Sequence, residues 1–89
     1  MSRWRVTTTA KFDKAVRRLD RTVARRVLDY LDSLVDLDDP RDRGKGLTGS
    51  LVGHWRYRIG DYRVLVRISE SELTILALDV AHRSAIYDR

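Results

Sequence analysis

Between residues 12 and 37 apolar side chains recur every three or four positions; from residue 54 onward they recur every second position. The first period belongs to an amphipathic helix and the second to a half-buried strand. Before either, residues 3–9 (RWRVTTT) alternate Trp4 and Val6 with Arg3 and Arg5, which predicts a short strand. Thr8 or Thr9 then caps a helix whose apolar stripe is Phe12, Ala15, Val16 and Leu19. Asp20 breaks that helix and serves as the N-cap of the next. The second helix carries Val23, Val27, Leu28, Leu31, Leu34 and Leu37 on a 3.6-residue period. Asp36, Asp38, Asp39 and Pro40 end it, and because carboxylates oppose the dipole at a helix C-terminus its last turn should fray.

Residues 40–53 hold four of the five glycines and predict a loop, with Leu47, Leu51 and Val52 as anchors onto the core. Three strands follow, at 54–59, 62–68 and 73–80. Gly60-Asp61 between the first two suits a two-residue type II′ hairpin, and residues 69–72 (SESE) make the next turn. The order β-α-α-β-β-β gives an α+β domain spanning residues 1–89, a helical hairpin on a small, mainly antiparallel four-stranded sheet.

The hairpin fixes a register. With Ile59 opposite Tyr62, Arg58 faces Arg63, Arg56 faces Leu65 and His54 faces Arg67. Side chains alternate, so Trp55, Tyr57, Ile59, Tyr62, Val64, Val66 and Ile68 share the core face. His54, Arg56, Arg58, Arg63, Leu65 and Arg67 share the other. Arg58 directly across from Arg63 is a destabilising like-charge pair. The arrangement gains a purpose if an anion sits there; otherwise it is a solvated, anti-aggregation face.

Charge supports the anion. The chain of 89 residues carries a net charge of +5, with arginine supplying 15 of its 18 basic residues. Residues 41–67 alone account for that excess, and the rest of the chain balances to zero. Arginine's planar fork of donors matches phosphate. The absence of cysteine excludes disulfides, thiolate metal sites and cysteine nucleophiles, and favours a cytoplasmic setting. No apolar run is long enough to cross a membrane, and no signal peptide is evident. Two histidines among scattered acids offer no metal site. Gly44-Lys45-Gly46 lacks P-loop spacing, and the few aromatics fall on the core face rather than forming a stacking platform.

An arginine face suits phosphate binding, and also RNA cleavage by the strand's own 2′-hydroxyl. That chemistry needs an in-line backbone, stabilisation of a pentavalent phosphorane, and one proton taken and one given. His82 and Tyr87 are the acid–base candidates near the C-terminus.

The block from Trp55 to Val64 (WRYRIGDYRV), preceded by Lys45–Gly49 and followed by His82–Tyr87 (HRSAIY), resembles the RelE/ParE superfamily of bacterial toxin–antitoxin toxins over essentially the whole chain. The resemblance implies a ribosome-dependent mRNA endoribonuclease that cuts in the A site without metal or other cofactor. Arg56 and Arg58 match two basic positions on one strand that are lysines in other members; arginine is a poor proton acceptor, so these residues suit phosphate binding. Arg63 matches the transition-state arginine, and Tyr87 a tyrosine that stacks on a base or moves a proton. Arg83 and His82 stand near Ala81, where some members carry a further arginine. Arg43, Lys45, His54 and Arg67 extend the RNA-binding surface. Implied partners are a RelB-like antitoxin with an acidic or amphipathic segment, the ribosome and its mRNA, and operator DNA only through the antitoxin; no membrane is implied. Two alternatives remain from the same superfamily: a ParE-like gyrase inhibitor acting by protein–protein contact, and an inactive member serving as co-repressor.

Overall fold

The structure is a computed structural model in which residues 3–85 are described. Its elements are β1 (Arg5–Thr8), α1 (Ala10–Arg17), α2 (Arg21–Leu34), a 3-10 turn (Pro40–Arg43), β2 (Lys45–Gly46), a second 3-10 turn (Gly49–Leu51), β3 (His54–Ile59), β4 (Tyr62–Ser69) and β5 (Thr74–His82). The expected α+β architecture is present, with one strand more than expected. The sheet has five strands in the order β1-β5-β4-β3-β2. Only the β1–β5 pair is parallel.

Local chemistry explains the boundaries. Thr9 caps α1, its hydroxyl accepting from the Phe12 N–H at 3.1 Å, and the Asp20 carboxylate caps α2 by accepting from the Thr22 N–H at 3.0 Å. α2 stops at Leu34, one turn short of the apolar period's last member. Leu37 still packs against the core, but from a turn. Carboxylates at 36, 38 and 39 and the proline at 40 account for the early stop.

Both helices lie on one face of the sheet. Phe12, Val27, Leu31 and Leu34 meet Tyr57, Ile59, Val64, Val66, Ile75, Ala77 and Val80 in one buried cluster, with Trp4 at its edge. The buried Tyr57 hydroxyl donates to the Pro40 carbonyl at 2.6 Å, and the Trp4 indole N–H donates to the Asp38 carbonyl at 3.3 Å. These two bonds tie the segment after α2 to the core.

β2 was not expected, because Lys45-Gly46 is too short to show a period. It pairs Lys45 with Arg56 and Gly46 with Trp55, and the Trp55 indole packs over Gly46, where even a Cβ would make ordinary van der Waals contact at 3.4–3.6 Å. Leu47 is buried as an anchor and Leu51 is half-buried, but Val52 is 71% exposed and anchors nothing. Leu73, expected as the first residue of a strand, belongs instead to the preceding turn with φ +50°, and the strand begins at Thr74.

The β3–β4 register is the one the hairpin predicts at every pair, from Ile59 opposite Tyr62 to His54 opposite Arg67. Gly60 has φ +58° and Asp61 does not take a positive φ, as a type II′ turn requires.

Candidate functional site

The face of the sheet away from the helices is built in cross-strand rows. One row runs Arg58, Arg63, Ala81; the next runs Lys45, Arg56, Leu65, Asp79. A third runs His54, Arg67, Leu76, Thr7, and a fourth Ser69, Thr74, Arg5. Leu65, expected among solvated side chains, is only 8% exposed, because it stands in a central strand between Arg56 and Asp79.

A β-bulge decides which C-terminal residues join this face. Leu65 pairs with Asp79 but Val66 pairs with Ala77, so Leu78 is an extra residue in β5. Unbroken alternation from the buried Ile75 and Ala77 would send positions 79, 81 and 83 into the core. The bulge reverses the parity. Val80 points inward, while Asp79 and Ala81 join the arginine rows. Residue 83 follows on the same side, and its backbone N–H donates to the Asp61 carbonyl at 2.7 Å, tethering it to the hairpin tip.

The same reversal takes His82 away from the site. His82 pairs with Tyr62, on the helix side of the sheet, and the two rings meet edge-to-face at 5.3 Å. Its Nδ1 accepts from the Ser84 backbone N–H at 3.2 Å. Of the two acid–base candidates, then, His82 is separated from Arg63 by the sheet, and Tyr87 lies outside the described residues.

Arg56, Arg58, Arg63 and Arg83 are brought together. Partial burial, followed by the charges of Arg58, Arg56 and Arg83, holds the Arg63 guanidinium below the ordinary arginine range, with Asp61 partly opposing. Arg63 remains a cation, but one whose positive charge is poorly compensated. Its Nη1 donates to the Gly60 carbonyl at 3.2 Å and the Tyr62 carbonyl at 3.0 Å, which folds the guanidinium back over the turn. On the other side of that turn, the Arg26 guanidinium of α2 lies 3.1 Å from where a Cβ on Gly60 would be.

The wider basic surface is partly as expected. Lys45 extends the arginine rows through β2, and His54 and Arg67 face each other at the next level down, with His54 Nδ1 3.2 Å from the Leu51 carbonyl. Arg43 stands in the 3-10 turn after α2 rather than in the strand rows. Its charge partly offsets the burial that pushes the Tyr30 hydroxyl up, and the Tyr30 ring packs tilted against the core residue Tyr57, centroids 5.7 Å apart.

Asp79 was missed by sequence reasoning. It lies in the Arg56 row, is largely covered, and pairs with Lys11 of α1 at 3.3 Å. Nothing in the alternation of β5 points to it, since only the bulge turns it outward. No cluster of three or more potential metal ligands occurs among the described residues.

What the face can do is hold a phosphate between several forks of N–H donors.

Known proteins agree with this architecture. Residues 6–87 match the family described as ParE toxin of type II toxin-antitoxin system, parDE. Toxin RelG of Mycobacterium tuberculosis is 36% identical over 86 residues, covering 96% of this chain and 94% of RelG. Among solved structures, the toxin–antitoxin complex RelBE2 from Mycobacterium tuberculosis superposes with a TM-score of 0.82 at 28% identity, over 90% of this chain and 98% of that one. The archaeal RelE–RelB complex from Pyrococcus horikoshii OT3 superposes with a TM-score of 0.72 at 29% identity, over 93% and 98%. With residues 6–87 of the chain matching the family and a toxin of the same kind more than a third identical, the chain belongs to the RelE/ParE superfamily of type II toxins.

Proposed function

We propose that this toxin is a ribosome-dependent endoribonuclease that cleaves mRNA in the A site and is neutralised by a RelB-like antitoxin. The observation that carries the reading is the convergence of Arg56, Arg58, Arg63 and Arg83 at one end of the open sheet face. A domain selected for stability alone gains nothing from Arg58 opposite Arg63. In the proposed reaction the 2′-oxygen attacks the adjacent phosphorus and the bond to the 5′-oxygen breaks, leaving a cyclic 2′,3′-phosphate and a free 5′-hydroxyl. Arg56 and Arg58 hold the non-bridging oxygens in line. Arg63 leaves the Gly60 carbonyl and meets the charge that grows on the phosphorane. Ala81, opposite Arg63, leaves that position unfilled by any long side chain, and Arg83, tethered to the hairpin tip just beyond, adds its charge beside Arg63. With His82 on the far side of the sheet, proton transfer falls to Tyr87 or to the ribosome.

The antitoxin reading rests on the relatives, which were solved as RelB–RelE complexes, and on charge. An acidic or amphipathic segment laid across the arginine rows would compete with RNA for the same donors.

One observation favours a second reading. The matching family is named for ParE, and a ParE-like gyrase inhibitor would use the same scaffold for protein–protein contact.

The experiment is 5′-end mapping of mRNA on programmed ribosomes, with the wild-type toxin and Arg63→Ala, each with and without ribosomes. Codon-phased cuts that require ribosomes and disappear with Arg63→Ala are expected. Intact mRNA at high toxin concentration overturns the reading, and gyrase-dependent DNA breaks would then establish the second.

A further inference from the structure

At the end of β4 remote from Arg63, the open sheet face contains a pocket of ≈ 320 Å³ lined by Thr7, Arg67, Ser69, Glu72, Thr74 and Leu76. That volume lies at the small end of ligand sites. Thr7, Leu76 and Arg67 are one cross-strand row, and Thr74 and Ser69 belong to the next. Glu72 stands in the turn between β4 and β5, its backbone N–H donating to the Ser69 hydroxyl at 3.3 Å. The Thr74 hydroxyl is already engaged, accepting from Arg5 Nε at 3.1 Å and donating to the Glu72 carbonyl at 3.0 Å. The site therefore has an apolar floor at Leu76, and a cation and a carboxylate at its rim. No ion pair joins Arg67 to Glu72 among the described residues.

A phosphate does not suit this pocket, because Glu72 would repel it. A planar group with apolar faces and a polar edge does. Among the nucleobases, guanine alone pairs adjacent donors, N1–H and the N2 amino group, with the acceptors O6 and N7. A carboxylate accepts from the first pair, and an arginine fork donates to the second. Adenine presents a lone pair at N1, which a carboxylate repels.

We propose that the pocket is a guanine subsite, which reads one base of the RNA strand whose phosphates lie on the arginine rows. The inference rests on the proposed RNA substrate. Arg63 and Arg67 lie four residues apart on β4, about 13 Å at the rise of an extended strand. A few extended nucleotides bridge that span, so the base read lies at one fixed place near the cut. Recognition of an unstacked base by its edge is the usual route to sequence preference on single-stranded RNA.

The test is binding, read separately from cleavage. GMP, AMP, CMP and UMP are titrated one at a time into the full-length, methyl-labelled protein and followed by NMR. GMP is expected to shift the Leu76, Thr7 and Thr74 methyls, with a Kd about tenfold or more below that of AMP, the discrimination of one bidentate pair. Glu72→Gln should abolish that preference; the residue is in an exposed turn, and its contributions to the turn are two backbone bonds that the variant keeps. Equal responses to all four nucleotides, shifts confined to the Arg58–Arg63 end, or an unaltered preference in Glu72→Gln would each overturn the subsite. If wild-type toxin cuts mRNA while GMP ignores the pocket, the subsite fails alone. If mRNA stays intact while GMP binds as expected, the failure is that of the nuclease reading.

Discussion

The Thr9 hydroxyl donates to the Leu78 carbonyl at 3.1 Å, joining the first residue before α1 to the extra residue of the β5 bulge. The same oxygen accepts from the Phe12 N–H. One side chain thus caps a helix and pins the irregularity that turns residues 81 and 83 toward the arginines. Thr9→Ala is expected to cost about 1–2 kcal/mol in urea unfolding, and Thr9→Ser much less, because the serine hydroxyl makes both bonds. In Thr9→Ala the amide signals of residues 78–83 should broaden or move. Unchanged signals there would mean that the bulge holds itself.

Arg58 and Arg63 repel each other across the sheet. Arg58→Thr should therefore raise stability by about 0.2–1 kcal/mol at low salt, and the gain should shrink as salt is added. On the proposed nuclease reading, the same substitution should also weaken the cuts mapped on programmed ribosomes. A variant less stable than the wild type at low salt would show that the pair contributes something other than repulsion.

Tyr57 sets an alkaline limit. Burial, then the nearby Tyr30 and Asp39, pushes its hydroxyl far above the ordinary tyrosine range, with Arg41 opposing. In the unfolded chain the group titrates near pH 10, approximately. The folded protein keeps its proton at higher pH than the unfolded chain does. Stability is therefore complete below the unfolded value and falls as pH rises above it. Tyr57→Phe should flatten that fall, leaving the smaller share from Tyr30, while costing about 1–3 kcal/mol at neutral pH because the buried Pro40 carbonyl loses its donor. Urea unfolding at pH 7 and in steps above pH 9.5, roughly bracketing the unfolded tyrosine value, measures both.

Gly60→Ala should destabilise by about 1–2 kcal/mol through its left-handed backbone. The close Arg26 guanidinium is the end of a flexible side chain and can move aside. Adding Arg26→Ala should therefore recover little of the loss. Full recovery in the double variant would assign the cost to the contact rather than to the backbone.

Much of this was legible in the sequence, for identifiable reasons. The Gly60-Asp61 turn set the β3–β4 register, and with it the positions of Arg56, Arg58, Arg63, His54 and Arg67, because a two-residue loop leaves no freedom to slip. The Thr8-Thr9 pair and Asp20 marked the helix starts through their side-chain chemistry, and Thr9 is the one that caps α1. What escaped notice had no periodic signature. β2 is two residues long and exists only through its pairing with β3, a tertiary fact. His82 and Arg83 are neighbours in sequence, yet a bulge whose extra residue has no distinctive identity puts only Arg83 beside Arg63. Asp79 depends on that same bulge, and the pocket at Glu72 on β1 arriving next to β5. Arg43 is part of a basic run in sequence, but it stands in a 3-10 turn outside the strand rows, where its charge is felt by Tyr30.

The parallel pairing of β1 with β5 has a consequence for how the protein comes into being. Arg5 lies against Thr74, 69 positions later, and β1 has no other strand to pair with. Contacts this remote slow folding, because a long loop must close before they form. During synthesis β1 and the helix that follows it must wait, unsheltered, until β5 has left the ribosome. The hairpin bearing Arg58 and Arg63 emerges earlier but lacks the strand that sets Arg83 beside it. On the proposed site, the nascent chain lacks its full arginine cluster for most of its own translation, which leaves an interval in which a partner already present can meet it first.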